Sequence, residues 1–289
     1  MADLLHLESP DRPVVLEARA LGKKFPRNGG GEATALADIN FAVRRRDFVT
    51  VIGPSGCGKS TLVRILAGLE DATSGQVLVD HVPVDGPGRD RGMVFQGYTL
   101  FPWLTVMKNV MFGLRLQNIG NDEARSQALQ WIELVGLTKY ADAYPHQLSG
   151  GMKQRVAIAR ALANKPRILL MDEPFGALDP QTRMHMQGHL LQIWQNVNIT
   201  IVFITHDLDE ALLLGGRIAV LGAADATHPG GHLKKMMEVD LPHPHGLEVL
   251  QTPRFRELRH ELDHLVHPPQ AISEDPLPIV RMTPVGDDV

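Results

Sequence analysis

The stretch Gly53-Pro54-Ser55-Gly56-Cys57-Gly58-Lys59-Ser60-Thr61 constrains this chain more than any other: two glycines separated by four residues, then a lysine and a hydroxyl residue. It is the pattern of a Walker A loop, which cradles nucleotide phosphates. The apolar, β-branched run Phe48-Val49-Thr50-Val51-Ile52 before it reads as a buried strand, and Leu62-Val63-Arg64-Ile65-Leu66 after it reads as a helix. Strand, loop and helix therefore come in the order the motif needs. Glycines let successive backbone N–H groups turn toward one anion, and the helix N-terminus adds partial positive charge. Lys59 would reach the β and γ phosphates and the Ser60 hydroxyl would take a Mg²⁺ position. The expectation is a chain that binds a nucleoside triphosphate.

Composition narrows the partners. With 29 Lys+Arg against 33 Asp+Glu, the formal charge of −4 is spread along the chain without the basic blocks that nucleic-acid binding calls for. No nucleic-acid partner is expected. At 289 residues there is room for a large α/β core and a smaller appendage. Apolar runs such as Ile199–Ile204 fall far short of the ~20 residues of a membrane span. The acidic opening Met1-Ala2-Asp3 lacks a signal-peptide pattern, so a cytosolic chain is expected. The one cysteine, Cys57, makes no intrachain disulfide and reads as a small tolerated loop residue. Its thiol, lying in the phosphate loop, is expected to react with a bulky maleimide unless ATP shields it.

In chain order, residues 1 to 12 read as a loose arm, and Val14–Leu21 as a strand followed by Lys23-Lys24-Phe25 and the flexible Gly29-Gly30-Gly31. Phe25 is either a π face for an adenine ring or a core phenylalanine; spacing does not decide. Leu36–Val43 reads as an edge strand before a solvated turn at Arg44-Arg45-Arg46-Asp47. Ser74–Asp80 alternates like a hairpin strand, and Met93-Val94-Phe95 is a short strand ending at Gln96. An amide at the carboxyl end of such a strand faces the crevice where ligands sit, within reach of a metal or an attacking water. From Tyr98 to about Val156 the pattern turns helical, with helices at Val106–Leu116 and Asp122–Val135, the second stopped by Gly136, so this segment reads as an inserted helical subdomain. The Leu100-Phe101-Pro102-Trp103 cluster at its entrance fits core packing as well as a docking surface.

Leu148-Ser149-Gly150-Gly151 precedes an alanine-rich helix. Serine alone would cap it, so two glycines in addition suggest close approach by something. Ile168–Met171 is an apolar run ending in Asp172-Glu173, the form of a buried parallel strand delivering acids to the crevice: a Walker B element in which Asp172 would hold Mg²⁺ through water and Glu173 would orient or deprotonate the attacking water. Gly176–Asp179 turns back. Ile201–Thr205 is another buried strand, and His206 at its end is placed to hydrogen-bond a γ-phosphate. Ile218–Leu221 reads as the last strand of the core. Phe255–Val266 reads as a helix with Phe255, Leu258, Leu262 and Leu265 on its apolar side. His260, His264 and His267 lie opposite, as a metal site or a wetted face. From Pro268 onward the composition suggests disorder.

With these residues placed, the chain over residues 14–266 resembles the ATP-binding cassette (ABC) ATPases of membrane transporters. The match is the ordered set of Walker A, a glutamine loop at Gln96, the Leu148–Gly151 signature, Walker B with Glu173, the Asp179 loop and the His206 switch; the signature separates this family from other P-loop proteins. The resemblance implies an α/β P-loop NTPase fold with a mainly parallel sheet, an antiparallel β subdomain and an inserted α-helical subdomain. The implied division is a core with β subdomain at 14–98 and 157–222, a helical signature subdomain at 99–156, a C-terminal extension at 223–267 and a tail at 268–289. ATP and Mg²⁺ are the implied cofactors. Glu173, His206, Gln96 and Lys59 are the implied catalytic set; Phe25, Gly53 through Thr61, Ser149, Gly150, Gly151 and Asp179 would bind nucleotide, and Ser60, Gln96 and Asp172 the metal.

The same resemblance implies a head-to-tail dimer, ATP lying between the Walker A loop of one copy and Ser149 and Gly151 of the other. It also implies a groove near Gln96 and Leu100–Trp103 that receives a short cytoplasmic helix of a membrane permease, an extracytoplasmic solute-binding protein further out, and a place on the cytoplasmic side of the cell membrane. Leu100–Val106 and Glu173–Asp179 look most like the ATPases of nitrate, sulfonate and taurine importers, although Asp240-Leu241-Pro242-His243-Pro244-His245 departs from the proline-arginine expected there. The competing expectation is a soluble ABC-type ATPase acting on ribosomes or DNA. Such proteins carry two cassettes or a long coiled-coil insertion, and neither is visible.

Overall fold

The chain begins with two long strands, β1 (Val14–Pro26) and β2 (Glu32–Arg44), paired antiparallel across the Gly29–Gly31 turn. The computed structural model describes residues 12–27, 29–241 and 247–268. The expected N-terminal arm, the tail beyond 268 and most of the Asp240–His245 stretch lie outside them. β1 continues through Lys23-Lys24-Phe25, expected to follow the strand, because Lys24 and Phe25 keep register with Thr34 and Ala33. Next come β3 (Phe48–Ile52), α1 (Lys59–Leu66), β4 (Ser74–Val79), β5 (Val82–Pro83) and β6 (Arg91–Val94). β4 pairs with the other side of β1, giving an antiparallel sheet in the order β2-β1-β4-β5.

Three helices follow: α2 (Val106–Leu116), α3 (Asn121–Leu134) and α4 (Gly150–Ala163). They share a core of Val110, Met111, Leu114, Ala124, Ala128, Ile132 and Ile158. α2 starts where Thr105 accepts the Lys108 N–H at 3.3 Å, and α3 ends before Gly136, at φ 67°. The chain then alternates: β7 (Ile168–Asp172), α5 (Pro180–Asn196), β8 (Thr200–Ile204), α6 (Leu208–Leu214), β9 (Arg217–Gly222), β10 (His232–Glu238) and α7 (Pro253–Val266).

The second sheet runs β10-β9-β3-β8-β7-β6, parallel except for β10. The expected last strand, β9, is thus not the edge: β10 covers it, an addition hidden in the sequence because Lys234 and Lys235 interrupt the apolar pattern. Strands β3, β7 and β8 are buried throughout, as a sheet covered on both faces requires. Alternate residues point to opposite faces. Val49, Val51, Leu170, Val202 and Ile204 meet α1 and the antiparallel sheet; Phe48, Leu169, Met171, Ile201 and Phe203 meet the helical layer. α7 buries Phe255, Leu258, Leu262 and Val266 against α6 and β9, with Leu265 only partly covered. Among the described residues no helix is long and apolar enough to cross a membrane.

Candidate nucleotide site

Strands β3, β6, β7 and β8 bring their carboxyl ends to one edge of the sheet, where Gly53, Gln96, Glu173 and His206 follow them. Gly56 and Gly58 take φ 78° and 92°, a region that favours glycine. Gly58 is the N-cap of α1 and brings no side chain to cap it, so an anion at the helix start meets no competition from a capping side chain. Gly53 is required for another reason: a Cβ there would lie 2.6 Å from the Leu221 carbonyl oxygen. Lys59 is buried, and its Nζ donates to the carbonyls of Gly53 at 2.7 Å and Pro54 at 3.1 Å, which holds the ammonium over the loop.

Cys57 corrects an expectation. Its side chain turns inward, 1% exposed, among Leu62, Leu66 and Leu221, and burial pushes its thiol up. A bulky maleimide has no access to it with or without nucleotide. The i+4 position from Gly53 points into the core here, which the loop pattern alone did not reveal.

The Ser60 hydroxyl donates to Asp172 Oδ1 at 3.2 Å. Asp172 is buried at the end of β7; burial raises its carboxyl, and the Ser60 hydrogen bond partly offsets this. A hydroxyl and a carboxylate held side by side are hard oxygen donors of the kind Mg²⁺ takes, the hydroxyl directly and the carboxylate through one of the waters the ion keeps, so these residues fit Mg²⁺. Glu173, next along, has φ 43°, the left-handed region, in a non-glycine residue. Its N–H bonds the Ile204 carbonyl at 3.1 Å while its own carbonyl accepts from Gly176 at 3.2 Å, and such over-determined strain is characteristic of functional positions. Gln96 Nε2 and His206 Nδ1 both approach Glu173 Oε2, at 3.4 and 3.3 Å. Three side chains from three strand ends thus meet on one carboxylate oxygen.

A residue that the sequence reading passed over underlies this meeting. Glu210 is buried in the apolar helix α6, accepting from Gln187 Nε2 at 2.9 Å and from Thr205 Oγ1 at 2.5 Å. Thr205 Oγ1 in turn accepts the Asp207 N–H, and Asp207 caps α6. The network pins the loop carrying His206 to α5. Its signal was a lone glutamate inside Leu208-Asp209-Glu210-Ala211-Leu212-Leu213-Leu214, where burial demands a partner.

The other predicted residues lie apart from this cluster. Ser149 caps α4, its hydroxyl accepting the Met152 N–H at 3.3 Å. The close approach expected for its glycines comes from within the chain: a Cβ on Gly150 would lie 2.8 Å from the Tyr98 hydroxyl, and one on Gly151 would lie 2.7 Å from Thr182 Cγ2. Asp179 caps α5 by accepting from the Thr182 N–H at 3.0 Å, so signature turn and Asp179 loop share Thr182 as a neighbour. Among the described residues no hydrogen bond links Ser149 to the phosphate loop. Phe25 is exposed, with Lys23 Nζ 4.8 Å from its ring centre, which removes the core alternative. Trp103 is 70% exposed beside Phe101 and Phe112, so core packing does not account for the entrance cluster. Buried Asn109 shapes that cluster, bonding backbone of Phe101, Leu104 and Thr105. His260 and His264 are 3.1 Å apart on α7, but His267 pairs with Asp263 instead, so the three do not converge.

Residues 36–176 match the ABC transporter family. An uncharacterized ABC transporter ATP-binding protein of Methanocaldococcus jannaschii is 50% identical over 244 residues, 84% of this chain and 89% of that protein. A nitrate import ATP-binding protein of Synechocystis is 47% identical over 238 residues, 82% of this chain and 84% of its own. Among solved structures, a dimeric ATP-binding cassette in a post-hydrolysis state with ADP and Pi superposes with TM-score 0.68 at 32% identity, over 78% of this chain and 99% of that one. The chain therefore belongs to the ABC transporter family, as an ATP-hydrolysing, ATP-binding subunit.

Proposed function

We propose that this subunit powers import of a small solute of the nitrate, sulfonate or taurine class through separate permease subunits, working as a head-to-tail dimer at the cytoplasmic face of the membrane. The observation that carries the catalytic part is the convergence of Gln96 and His206 on Glu173 Oε2. Glu173 orients and deprotonates the attacking water, and its neighbours hold its carboxylate in place. His206 Nδ1 faces Glu173, which leaves Nε2 for the γ-phosphate. Lys59 and the N–H groups of residues 53–61 hold the β and γ phosphates. When bound by Ser60, Asp172 and Gln96, Mg²⁺ neutralises charge on the phosphates. Phe25, exposed at the end of β1, stacks on adenine.

No hydrogen bond among the described residues joins the exposed Ser149 to its own phosphate loop, and the related cassette is dimeric; both support a second copy supplying that loop. The exposed Trp103 and Phe112, with half-buried Phe101 between them, suit a short apolar helix of a permease, with residues 99–156 moving as one unit relative to 14–98 and 157–222. Import and nitrate follow the nitrate import relative, and the sulfonates and taurine follow the resemblance carried by Leu100–Val106 and Glu173–Asp179. Deleting the gene should abolish uptake of nitrate, taurine or another sulfonate; unchanged uptake of all of them overturns the solute class. Restoration by wild type but not by Glu173→Gln ties uptake to hydrolysis.

A further inference from the structure

Outside the nucleotide crevice, Asp225, His228 and His232 each offer one ligand atom, all within 4.8 Å of one another, the one such group of three among the described residues. They lie on the turn joining β9 to β10. We propose that this turn is a binding site for a borderline divalent metal such as Zn²⁺, Ni²⁺ or Co²⁺, held by two imidazoles and one carboxylate.

The donor geometry favours a metal over a plain turn. Asp225 closes the turn with its N–H, which donates to the His228 carbonyl at 2.9 Å, and with Oδ1, which accepts from the Thr227 N–H at 2.8 Å, the Thr227 hydroxyl at 2.7 Å and the His228 N–H at 2.8 Å. Oδ2 takes no part in those bonds and faces both rings: it lies 3.6 Å from His232 Nε2 and 3.3 Å from His228 Nδ1, which is also 3.1 Å from Oδ1 and 2.8 Å from the Thr227 hydroxyl that a metal would displace. A tetrahedral Zn²⁺ with bonds of 2.0–2.1 Å spaces its ligand atoms about 3.3 Å apart, so two edges of the tetrahedron are already close to length. His232 is 6% exposed, and a Cβ on Gly222 would lie 2.7 Å from its Nε2, so only glycine beneath leaves room for the ring. Its Nδ1 lies 3.4 Å from the Gly230 carbonyl. Donation there fixes the tautomer and points the Nε2 lone pair into the cluster. Two neutral imidazoles and a carboxylate suit these metals better than Mg²⁺ or Ca²⁺, which take oxygen. The rings stack at 3.7 Å and 13°; ligation needs a metal in the plane of each ring, so half-exposed His228 must tilt.

The position gives the metal something to act on. Gly231, beside His232, exchanges backbone hydrogen bonds with β2: its N–H to the Ala35 carbonyl at 3.0 Å and its carbonyl from Ala37 N–H at 2.8 Å. A Cβ on it would lie 1.9 Å from the Cys57 carbonyl of the phosphate loop. A metal closing the Asp225–His232 turn therefore tightens the strap lying on the back of that loop. Among the described residues the pair His260 and His264 is a competitor for metal, with only two donors, 3.1 Å apart.

The test is titration of the untagged full chain with Co²⁺ and Zn²⁺ in the absence of nucleotide. One equivalent should bind, with visible absorption of four-coordinate Co²⁺ and a raised thermal midpoint. His228→Ala, at a half-exposed position, and Asp225→Asn, which keeps the oxygen that closes the turn, should each weaken binding at least ~10–100-fold; His260→Ala/His264→Ala should leave it unchanged. Absence of a bound equivalent in the wild type, unchanged affinity in His228→Ala, or loss in the α7 double variant instead, overturns the assignment. None of these readouts depends on ATP hydrolysis, so the nucleotide site stands or falls separately.

Discussion

Two glycine-bearing turns in front of helices, the phosphate loop before α1 and the Ser149–Gly151 turn before α4, are built on different physics. In the phosphate loop, Gly56 and Gly58 occupy positive φ, and α1 starts from an N-cap that offers no side chain to its N–H groups. In the turn before α4, Ser149 caps the helix itself, and Gly150 and Gly151 make room for Tyr98 and Thr182. The first turn is shaped for a ligand. The second is shaped for its own chain, against Tyr98 and α5, and leaves Ser149 exposed. Similar letters thus mark two different devices, and under the proposed function a head-to-tail pair of copies would bring them together.

The largest expected effect falls on the phosphate side. Glu173→Gln should lower ATP turnover ~10²–10⁴-fold, the range of a lost general base, while nucleotide binding persists and ATP-bound dimers accumulate. Normal turnover, measured by phosphate release, would remove Glu173 from the chemistry. Ser149→Asp comes next. Aspartate caps as well as serine, so α4 should stay folded, but a negative charge would face a partner's γ-phosphate. Turnover should fall about 10²-fold, and in the Glu173→Gln background dimers should disappear on size exclusion while monomers bind ATP with unchanged affinity. If monomer affinity falls as well, the serine acts on its own chain's nucleotide and the comparison fails.

The same contrast explains what was legible in the sequence. The phosphate loop, the acids ending β7 and the buried strands were readable because backbone requirements and burial leave local patterns: glycines at fixed spacing, apolar runs of strand length. α2 was expected at Val106–Leu116 and forms there. What was not readable depends on contacts distant in sequence. Cys57 looked accessible because its burial against Leu221 arises from a strand more than a hundred residues on. β10 was missed because an edge strand shows lysines to solvent. Glu210, Gln187 and Thr205 form one network from three segments, and no single segment announces it.

Two glycine substitutions sharpen the comparison at smaller scale. Gly53→Ala pushes a methyl toward the Leu221 carbonyl, which is backbone and cannot swing away; Gly151→Ala pushes one toward Thr182 Cγ2, the tip of a side chain. Gly53→Ala should cost about 1–3 kcal/mol of stability, as overpacking does. Gly151→Ala should cost less and be largely relieved by Thr182→Ser, which removes the opposing methyl. Denaturant midpoints of the single and double variants measure this. Equal losses without relief would mean that Gly151 serves something other than its contact with Thr182.

The smallest effect concerns how the phosphate side is supported. Burial raises the Glu210 carboxyl above its ordinary value of 4.5, the hydrogen bonds from Thr205 and Gln187 opposing this only in part. A carboxyl raised on folding binds more protons in the folded chain than in the unfolded one. Its contribution to stability therefore declines as pH rises from about 4.5 through the folded value, then levels off. Glu210→Gln has nearly the same shape, and rotation of the Gln187 amide lets an oxygen meet the new N–H while Thr205 keeps its acceptor. The variant should be slightly more stable than wild type at neutral pH, and the difference should vanish as pH falls toward 4.5; Asp172, raised by the same cause, contributes equally to both proteins and cancels. Thermal midpoints taken across this range decide it. Curves that stay parallel would show that Glu210 is as well solvated folded as unfolded, and the His206 loop would then rest on packing, like the Ser149 turn.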